Sequence, residues 1–501
     1  MEKVPDDQLN NTRNFYLPHH CVTKEDSSTT KLRVVFDASA KTTSGYSLND
    51  CLLVGPKCQD DLFNILIRFR MFEIAMSADV AKMYRQVELS EPDRDLHRIL
   101  WRKNPSEPLE TLRMTRVTYG VASSSYHAIR SLLECAKFES TSELVKTTIQ
   151  RDFYVDDVLT GAKTKEEARI LQTGLIETLK KGQFDLRKWT CSDVNLTKEL
   201  PPEYREADES FQFLNEDHTI KTLGIVWNPV KDKFTFTVKH LKEDLNEKIT
   251  KRKMFSDIAK TFDPLGWLSP ITLQLKQLMQ KVWQSKTDWD EILPTEIATS
   301  YCQWRSRLNC LSEIEINRFA LCENRNDDIS LHVFCDASEK GYAACVYAVS
   351  SDKNGQKKSS LLSGKSRVSP LKTQSIPRLE LCAALLGIEL MTAIVKSLSK
   401  MELRVQTKNA WTDSTIVLSW LAKEPSHWST FAANRISKIQ EHEDINWRHV
   451  PTHQNAADVA SRGLDPQELK NNSLWWSGPD WLTTKTYHQK YLLKKRMKTK
   501  N

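Results

Sequence analysis

Phe153-Tyr154-Val155-Asp156-Asp157-Val158-Leu159-Thr160-Gly161 places two adjacent acids between two short apolar runs. Apolar runs flanking a polar break read as two strands joined at a tip. The pattern predicts a hairpin: Phe153, Tyr154 and Val155 enter, the two aspartates occupy the tip, and Val158 and Leu159 leave. Aspartate is a common turn residue, so alone the pair says only turn. A third acid changes its weight. Asp79, in SADVAKMYRQV (Ser77–Val87), ends a second apolar strand, Phe72–Val80. Carboxylates gathered without histidine or cysteine suit hard, oxygen-seeking cations such as Mg²⁺ or Mn²⁺. Two such ions about 3.5–4 Å apart clamp the attacking and leaving oxygens of an in-line phosphoryl transfer. Ionised aspartates packed together without them repel one another.

A second set of acids follows downstream. Asp336 closes the alternating strand Leu331–Cys335. Glu380 lies one turn into a helix that Pro377 opens, with Leu381, Leu385 and Ile388 on one face. Proline suits a helix's first turn because its missing N–H is not needed there. Asp413 ends the Leu403–Thr412 region, and Asp458 sits in NAADVASRG (Asn455–Gly463). Singly, Asp413-Ser414 reads as a helix cap and Glu380 as a charge suited to a helix N-terminus. Together, the four form a second group fit for two cations.

Around these sets the chain alternates strands and helices. Lys31–Asp37, Thr219–Trp227, Lys233–Val238 and Tyr342–Val349 read as strands. Thr164–Lys181 reads as a helix with Ala168, Leu171, Leu175 and Leu179 on one face. Ser192–Ser210, polar and containing Pro201-Pro202, reads as a loop, and Asp352–Lys358 as a polar turn. Leu241, Leu245 and Ile249, then Ile271, Leu275, Leu278, Met279 and Val282, give two helices split by the turn Asp263–Gly266.

The 501 residues carry 72 Lys+Arg and 65 Asp+Glu, a formal charge of +7. Lys485, Lys490, Lys494, Lys495, Arg496, Lys498 and Lys500 account for the whole surplus, so the body is neutral and any nucleic-acid surface there must be local. The 11 cysteines contain no C-x-x-C pair, which argues against a disulfide framework or zinc module and for a reducing, intracellular setting. The most apolar run, Cys382–Val395, is broken by Glu389, so no membrane span is expected, and no secretory signal opens the chain. Most tryptophans, clustered from Trp267 onward, are expected in the core.

Tyr154-Val155-Asp156-Asp157 resembles the Y-x-D-D box of reverse transcriptases, with Asp79 where the first palm aspartate of that family stands. FYLPHHCVTKEDSSTTKLRVVFDASAKT (Phe15–Thr42), LSEPDRDLHRILWR (Leu89–Arg102), FDPLGWLSPITL (Phe262–Leu273) and WDEILP (Trp289–Pro294) resemble the Bel/Pao class of long-terminal-repeat retrotransposons. CDAS around Asp336, RLEL around Glu380, WTDS around Asp413 and VPTHQNAADVASRG around Asp458 resemble ribonuclease H. The resemblance runs from about Phe15 to Gly463.

The resemblance implies a mixed α/β (α+β) protein, a fragment of a retroelement polyprotein. Fingers and palm would span 1–190, with a palm end, helical thumb-like part and connection at 191–327. A ribonuclease H-like domain would span 328–468, and a basic tail 469–501. Asp79, Asp156 and Asp157 would hold two Mg²⁺ (or Mn²⁺) for DNA synthesis. Asp336, Glu380, Asp413 and Asp458 would hold two more for hybrid cleavage. Tyr84 would pack under the incoming sugar, Lys24 and Arg33 would hold the triphosphate, Tyr154 and Gly120 would line the substrate, and Leu223-Gly224 would grip the primer. Partners would be an RNA template, a DNA primer, RNA–DNA hybrid and dNTPs, in a cytoplasmic virus-like particle or the nucleus. His453, five residues before Asp458, reads as a loop residue. No D-[ST]-G protease triplet occurs. The alternative is a retroelement-derived protein that binds nucleic acid without turnover.

Overall fold

The computed structural model describes residues 1–23, 32–206, 211–212, 223–238, 248–259, 261–323 and 325–484. Its contacts divide the chain into two units: Met1–Asp61 with Met76–Ala207, and Leu62–Ala75 with Asp208–Asn501.

In the first unit, β1 (His19–Thr23) and β2 (Leu32–Phe36) form an antiparallel pair. β3 (Ile74–Val80), β4 (Phe153–Tyr154), β5 (Asp157–Ala162) and β6 (Leu186–Cys191) form a sheet in the order β4-β5-β3-β6. Helices α1 (Ser124–Glu139), α2 (Glu143–Asp152) and α3 (Lys165–Lys181) pack on one another, with α2 and α3 against β5. In α3 the expected face, Ala168, Leu171, Leu175 and Leu179, is buried, and Thr164 caps the helix by accepting from the Glu167 N–H at 3.2 Å. The segment read as a loop from Ser192 holds a helix instead, Val194–Glu199. Asp193 accepts from the Asn195 N–H at 2.9 Å and Leu196 is buried, so a cap and one apolar anchor outweigh the polar composition.

Leu89–Arg102 turns out to be structural. Arg98 is fully buried; it donates to Asp95 at 3.1 Å and to the carbonyls of Gln8 and Leu9 at 2.7 and 3.0 Å. Asp95 also receives Arg113 and Asn11. Buried charges survive only when paired in this way.

In the second unit, β7 (Leu223–Asn228) and β8 (Lys233–Val238) form a hairpin, and α4 (Ser269–Gln284) follows. Leu241 and Leu245, read as helical, lie outside the described residues. Five strands then make one sheet: β9 (Arg325–Ala337), β10 (Gly341–Asp352), β11 (Lys357–Val368), β12 (Val405–Thr412) and β13 (Ile445–His449), in the order β11-β10-β9-β12-β13. β9, β10 and β11 are antiparallel neighbours, while β9, β12 and β13 are parallel. Helix α5 (Ile376–Ser399) packs on β9 and β10, and α6 (Ala456–Arg462) also reaches both strands. By length and composition α5 could cross a membrane; in the fold it is the buried core helix of this sheet. Strand β11 was expected only as the end of a polar turn, because its Ser and Lys residues mask a buried centre at Leu361–Gly364.

The FDPLGW turn docks on that centre. Gly266 has φ +66°, and a Cβ there would lie 1.8 Å from the Gly364 carbonyl oxygen, so only glycine fits. Gly364 N–H and Ser363 Oγ donate to the Leu265 carbonyl at 3.0 and 2.7 Å, and Trp267 Nε1 donates to the Leu362 carbonyl at 3.1 Å. The fold continues past Arg462 through short helices Pro466–Lys470 and Ser473–Ser477 to Thr484. Fully buried Trp475 donates to the Trp267 carbonyl at 2.8 Å. The basic run from Lys485 lies outside the described residues. As expected, Trp189, Trp227, Trp267, Trp411 and Trp475 are core residues, whereas Trp283 and Trp289 are exposed.

Arg318 holds the second unit together. It is fully buried, grips Asp232 through two bonds of 2.6 and 2.7 Å, and donates to the carbonyls of Phe69, Phe72 and Glu73. Arg318→Ala strands these acceptors, so unfolding of this unit in denaturant is expected to lose about 3–5 kcal/mol. An unchanged midpoint would refute that role.

Candidate functional site: two carboxylate clusters

The hairpin forms, but its tip differs from the sequence reading. Tyr154 pairs with Asp157, so Val155 and Asp156 make the turn and Asp157 begins β5. A valine with φ +56° is strained, because its branched Cβ crowds the backbone there. Gln59 Oε1 accepts from the Val155 N–H at 2.8 Å and helps to hold it. The Val80 N–H donates to the Asp156 carbonyl at 2.8 Å, which ties the end of the strand that carries Asp79 to the turn that carries Asp156.

On the other side of β3, Asp79 pairs with Arg187, and the register slips between Ser77 and Asp79. The slip leaves Lys188 at φ +53° on β6. Burial raises the Asp79 carboxyl above its ordinary value, and the Lys188 ammonium draws it partly back. Lys188 was not singled out in the sequence; a lone lysine in a strand carries no signal until a bulge turns it toward an acid.

Several predicted substrate residues gather in the same unit. Tyr84 shares a 2.9 Å hydrogen bond with Ser125, its ring lies 5.1 Å from that of Tyr119, and the Arg33 guanidinium stands 6.0 Å over Tyr119. Gly120 has φ +85°, and a Cβ would fall 2.0 Å from the Phe36 carbonyl oxygen. Asn49 fixes this loop by donating to the Gly120 carbonyl and accepting from the Ala122 N–H. Lys24 lies outside the described residues. Leu223-Gly224 begins β7, paired with Val238 and Thr237.

The second cluster is built at the ends of two inner strands of the five-stranded sheet, β9 and β12. Parallel pairing of Cys335 with Thr412 puts Asp336 and Asp413 at matching strand ends. Asp336 is buried and accepts from the Ser461 hydroxyl. Glu380, on α5, accepts from Ser414 Oγ at 2.5 Å, while that oxygen caps the next helix by accepting from the Val417 N–H. Asp413 accepts from Thr452 Oγ1 at 2.7 Å and Asn455 Nδ2 at 3.3 Å. Asp458 accepts from Arg462 Nε at 2.5 Å, one helical turn on. His453 is exposed in the short turn Thr452–Gln454.

The carboxylates feel one another. Burial, then the charges of Asp413 and Asp458, push the Asp336 carboxyl up to about 7, against the hydrogen bond from Ser461 and the charge of Arg462. Burial and the Asp413 charge also raise Glu380, partly offset by Ser414. Among the described residues, no three acid, histidine or cysteine side chains are close enough to hold one metal ion. Each acid has instead turned to a protein donor. The donor set still fits a hard divalent cation: it is all oxygen, anionic and mutually repelling, and a dication would relieve that repulsion. Ser414 was read only as part of a helix cap, and Asn455, Ser461 and Arg462 were missed in the sequence. The last two stand three and four residues after Asp458 on one helix, a spacing that points them to one face.

Residues 250–414 match the family model of the Pao retrotransposon-like RNaseH-like domain. That span holds the FDPLGW turn, its docking strand β11, and Asp336, Glu380 and Asp413. No match was found among curated proteins. Among solved structures, a foamy viral protease-reverse transcriptase dRH in complex with double-stranded DNA aligns at TM-score 0.52 and 14% identity, covering 87% of this chain and 65% of that one. The foamy viral protease-reverse transcriptase with double-stranded DNA aligns at 0.51 and 16%, covering 87% and 78%. The same enzyme with RNA/DNA hybrid aligns at 0.50 and 16%, covering 87% and 50%. The chain thus spans about two thirds of the first of these structures and half of the last. At such identities the likeness establishes the fold. Residues 250–414 are thus similar to the Pao retrotransposon-like RNaseH-like domain, and the chain as a whole is similar in fold to the foamy viral protease-reverse transcriptases.

Proposed function

We propose that the chain synthesises DNA on RNA and DNA templates at Asp79, Asp156 and Asp157, and cleaves the RNA of RNA–DNA hybrids at Asp336, Glu380, Asp413 and Asp458. The observation that carries the reading is the pairing of acids at strand ends in each unit. Asp79 and Asp156 are joined through the Val80–Asp156 backbone bond, and Asp336 and Asp413 through parallel strand pairing. The boundaries near 190, 327 and 468, and work inside the cell in a cytoplasmic particle, belong to the same proposal.

In the first site, Tyr84, Tyr119 and Gly120 would present a ring face and a side-chain-free backbone to the nucleotide, and Arg33 would meet its phosphates. The primer 3′-oxygen would attack the α-phosphorus and pyrophosphate would leave. In the second, the carboxylates would orient a water against an RNA phosphodiester, with 2′-hydroxyls in the wide minor groove marking the RNA strand. Bound Mg²⁺ or Mn²⁺ would supply Lewis-acid stabilisation of the phosphoryl oxygens in both.

The engagement of every second-site carboxylate by a protein donor favours one other reading, a protein that binds hybrid without turnover. Chelation separates the two. Primer extension and cleavage of a labelled hybrid are expected in 5–10 mM Mg²⁺ and are expected to stop in excess EDTA. Salt-dependent hybrid binding with no product in Mg²⁺ or Mn²⁺ would establish the second reading instead.

A further inference from the structure

The segment Ser473–Thr484 reaches the sheet that carries the second acid cluster. Trp481 sits 19 residues beyond the last residue of α6. Its ring lies 4.5 Å from Trp411, 6.0 Å from Phe334 and 6.4 Å from His332. His332, Phe334 and Asp336 alternate along β9 and so share one face. Trp411 also donates to His332 Nδ1 at 3.2 Å, so the platform under Trp481 is itself pinned. The chain arrives there from fixed points: Tyr347 donates to the Trp475 carbonyl at 2.6 Å, and Trp475 to the Trp267 carbonyl.

From this seat Trp481 Nε1 donates to Gln454 Oε1 at 3.0 Å. Gln454 belongs to the turn Thr452–Gln454. Thr452, two residues earlier, donates to Asp413 at 2.7 Å, and Asn455, next along, donates to both Asp413 and the Cys335 carbonyl. The exposed His453 therefore sits on a turn pinned to a site carboxylate by Thr452 and Asn455 and to the C-terminal segment by Gln454. Within the turn the Gln454 N–H donates to the Pro451 carbonyl at 2.8 Å and the Asn455 N–H to the Thr452 carbonyl at 2.9 Å, and Trp481 adds a contact to the Gln454 side chain from outside the turn.

We propose that Trp481 is a positioning residue of the hybrid-cleavage site. Its indole N–H, acting through Gln454, holds the 452–455 turn so that Thr452 and Asn455 keep Asp413 in the orientation used in cleavage. The inference rests on the proposed cleavage at Asp336 and Asp413 and adds a residue that touches neither acid. It also makes Ser473–Thr484 a working part of the domain.

Trp481→Phe keeps an aromatic ring on Trp411 but removes the donor together with part of the indole's packing area, whereas Gln454→Leu removes the acceptor and leaves the indole in place, so an effect shared by both belongs to the hydrogen bond. Two measurements on the full chain are made for each. Hydrogen exchange of the 452–455 amides, which needs no activity, is expected to speed up about five- to tenfold, the effect of losing one neutral hydrogen bond. Hybrid cleavage is expected to lose about five- to tenfold in kcat with KM nearly unchanged, because the turn orients a carboxylate rather than binding hybrid. The double variant is expected to match either single one. Primer extension, carried in the other unit, is expected to stay at the native rate, and native exchange of the β9 and β12 amides reports intact folding of this unit. Unchanged exchange, or faster exchange with native kcat, would overturn the inference while native cleavage leaves the function standing. Absence of cleavage in the native chain would remove the function, and this inference with it.

Discussion

Asp336→Asn is expected to lower hybrid cleavage on the order of 10³-fold while primer extension continues at the native rate. Asparagine keeps the shape of the side chain and an oxygen that can still accept from the Ser461 hydroxyl, so the change is one of charge. That charge is the most strained in the second cluster: burial and the neighbouring Asp413 and Asp458 hold the carboxyl up to about 7. The sign of the linked stability follows. The folded chain holds this proton more tightly than the unfolded chain does. Between the ordinary value of 3.8 and about 7, the group's contribution to stability therefore falls as pH rises, and above about 7 the penalty is complete. The metal-free Asn variant is thus expected to melt above the native chain at pH 8, with the gap closing toward pH 4. Added Mg²⁺ is expected to raise the melting temperature of the native chain more than that of the variant. Cleavage at the native rate by the variant would place the site elsewhere.

Asp156→Asn is expected to cut primer extension by a similar order, about 10³-fold, on RNA and DNA templates alike. The bond that ties this residue to the strand of Asp79 runs through its main-chain carbonyl, so the exchange leaves the Val80 contact and the Tyr154–Asp157 pairing intact. What is lost is one negative charge at a turn already held in a strained shape by Val155. Hybrid cleavage, carried in the other unit, is expected to persist, and native amide-exchange protection of β3 and β5 serves as the folding control. Equal extension by native and variant chains would sink the assignment of the first site.

The two variants test sites that differed in how plainly they could be read. The α3 face, the Pro377 start of α5 and the acids after Cys335 and Thr412 were legible, because local periodicity and strand-end position are properties of adjacent residues. β11 was not, since its buried centre, Leu361–Gly364, is flanked by serines and by lysines that stay exposed or half-buried, and it is covered by pairing with β10 and by the FDPLGW turn. The hairpin tip was misplaced by one residue, because register is set by pairing of both strands, and one step moves an aspartate from the turn into the ladder.

What the sequence by itself determined is the chemistry on offer: seven carboxylates without histidine or cysteine partners, at the ends of strands or the starts of helices. Only the tertiary structure decided what surrounds each one. Lys188 faces Asp79 because a strand slips register, Ser461 meets Asp336 across 125 positions, and Trp481 reaches Gln454 across 27. Such partners carry no local signal. A hydrogen bond needs proximity in space, and for residues this far apart proximity is conferred only by the packed sheet and the segments laid across it.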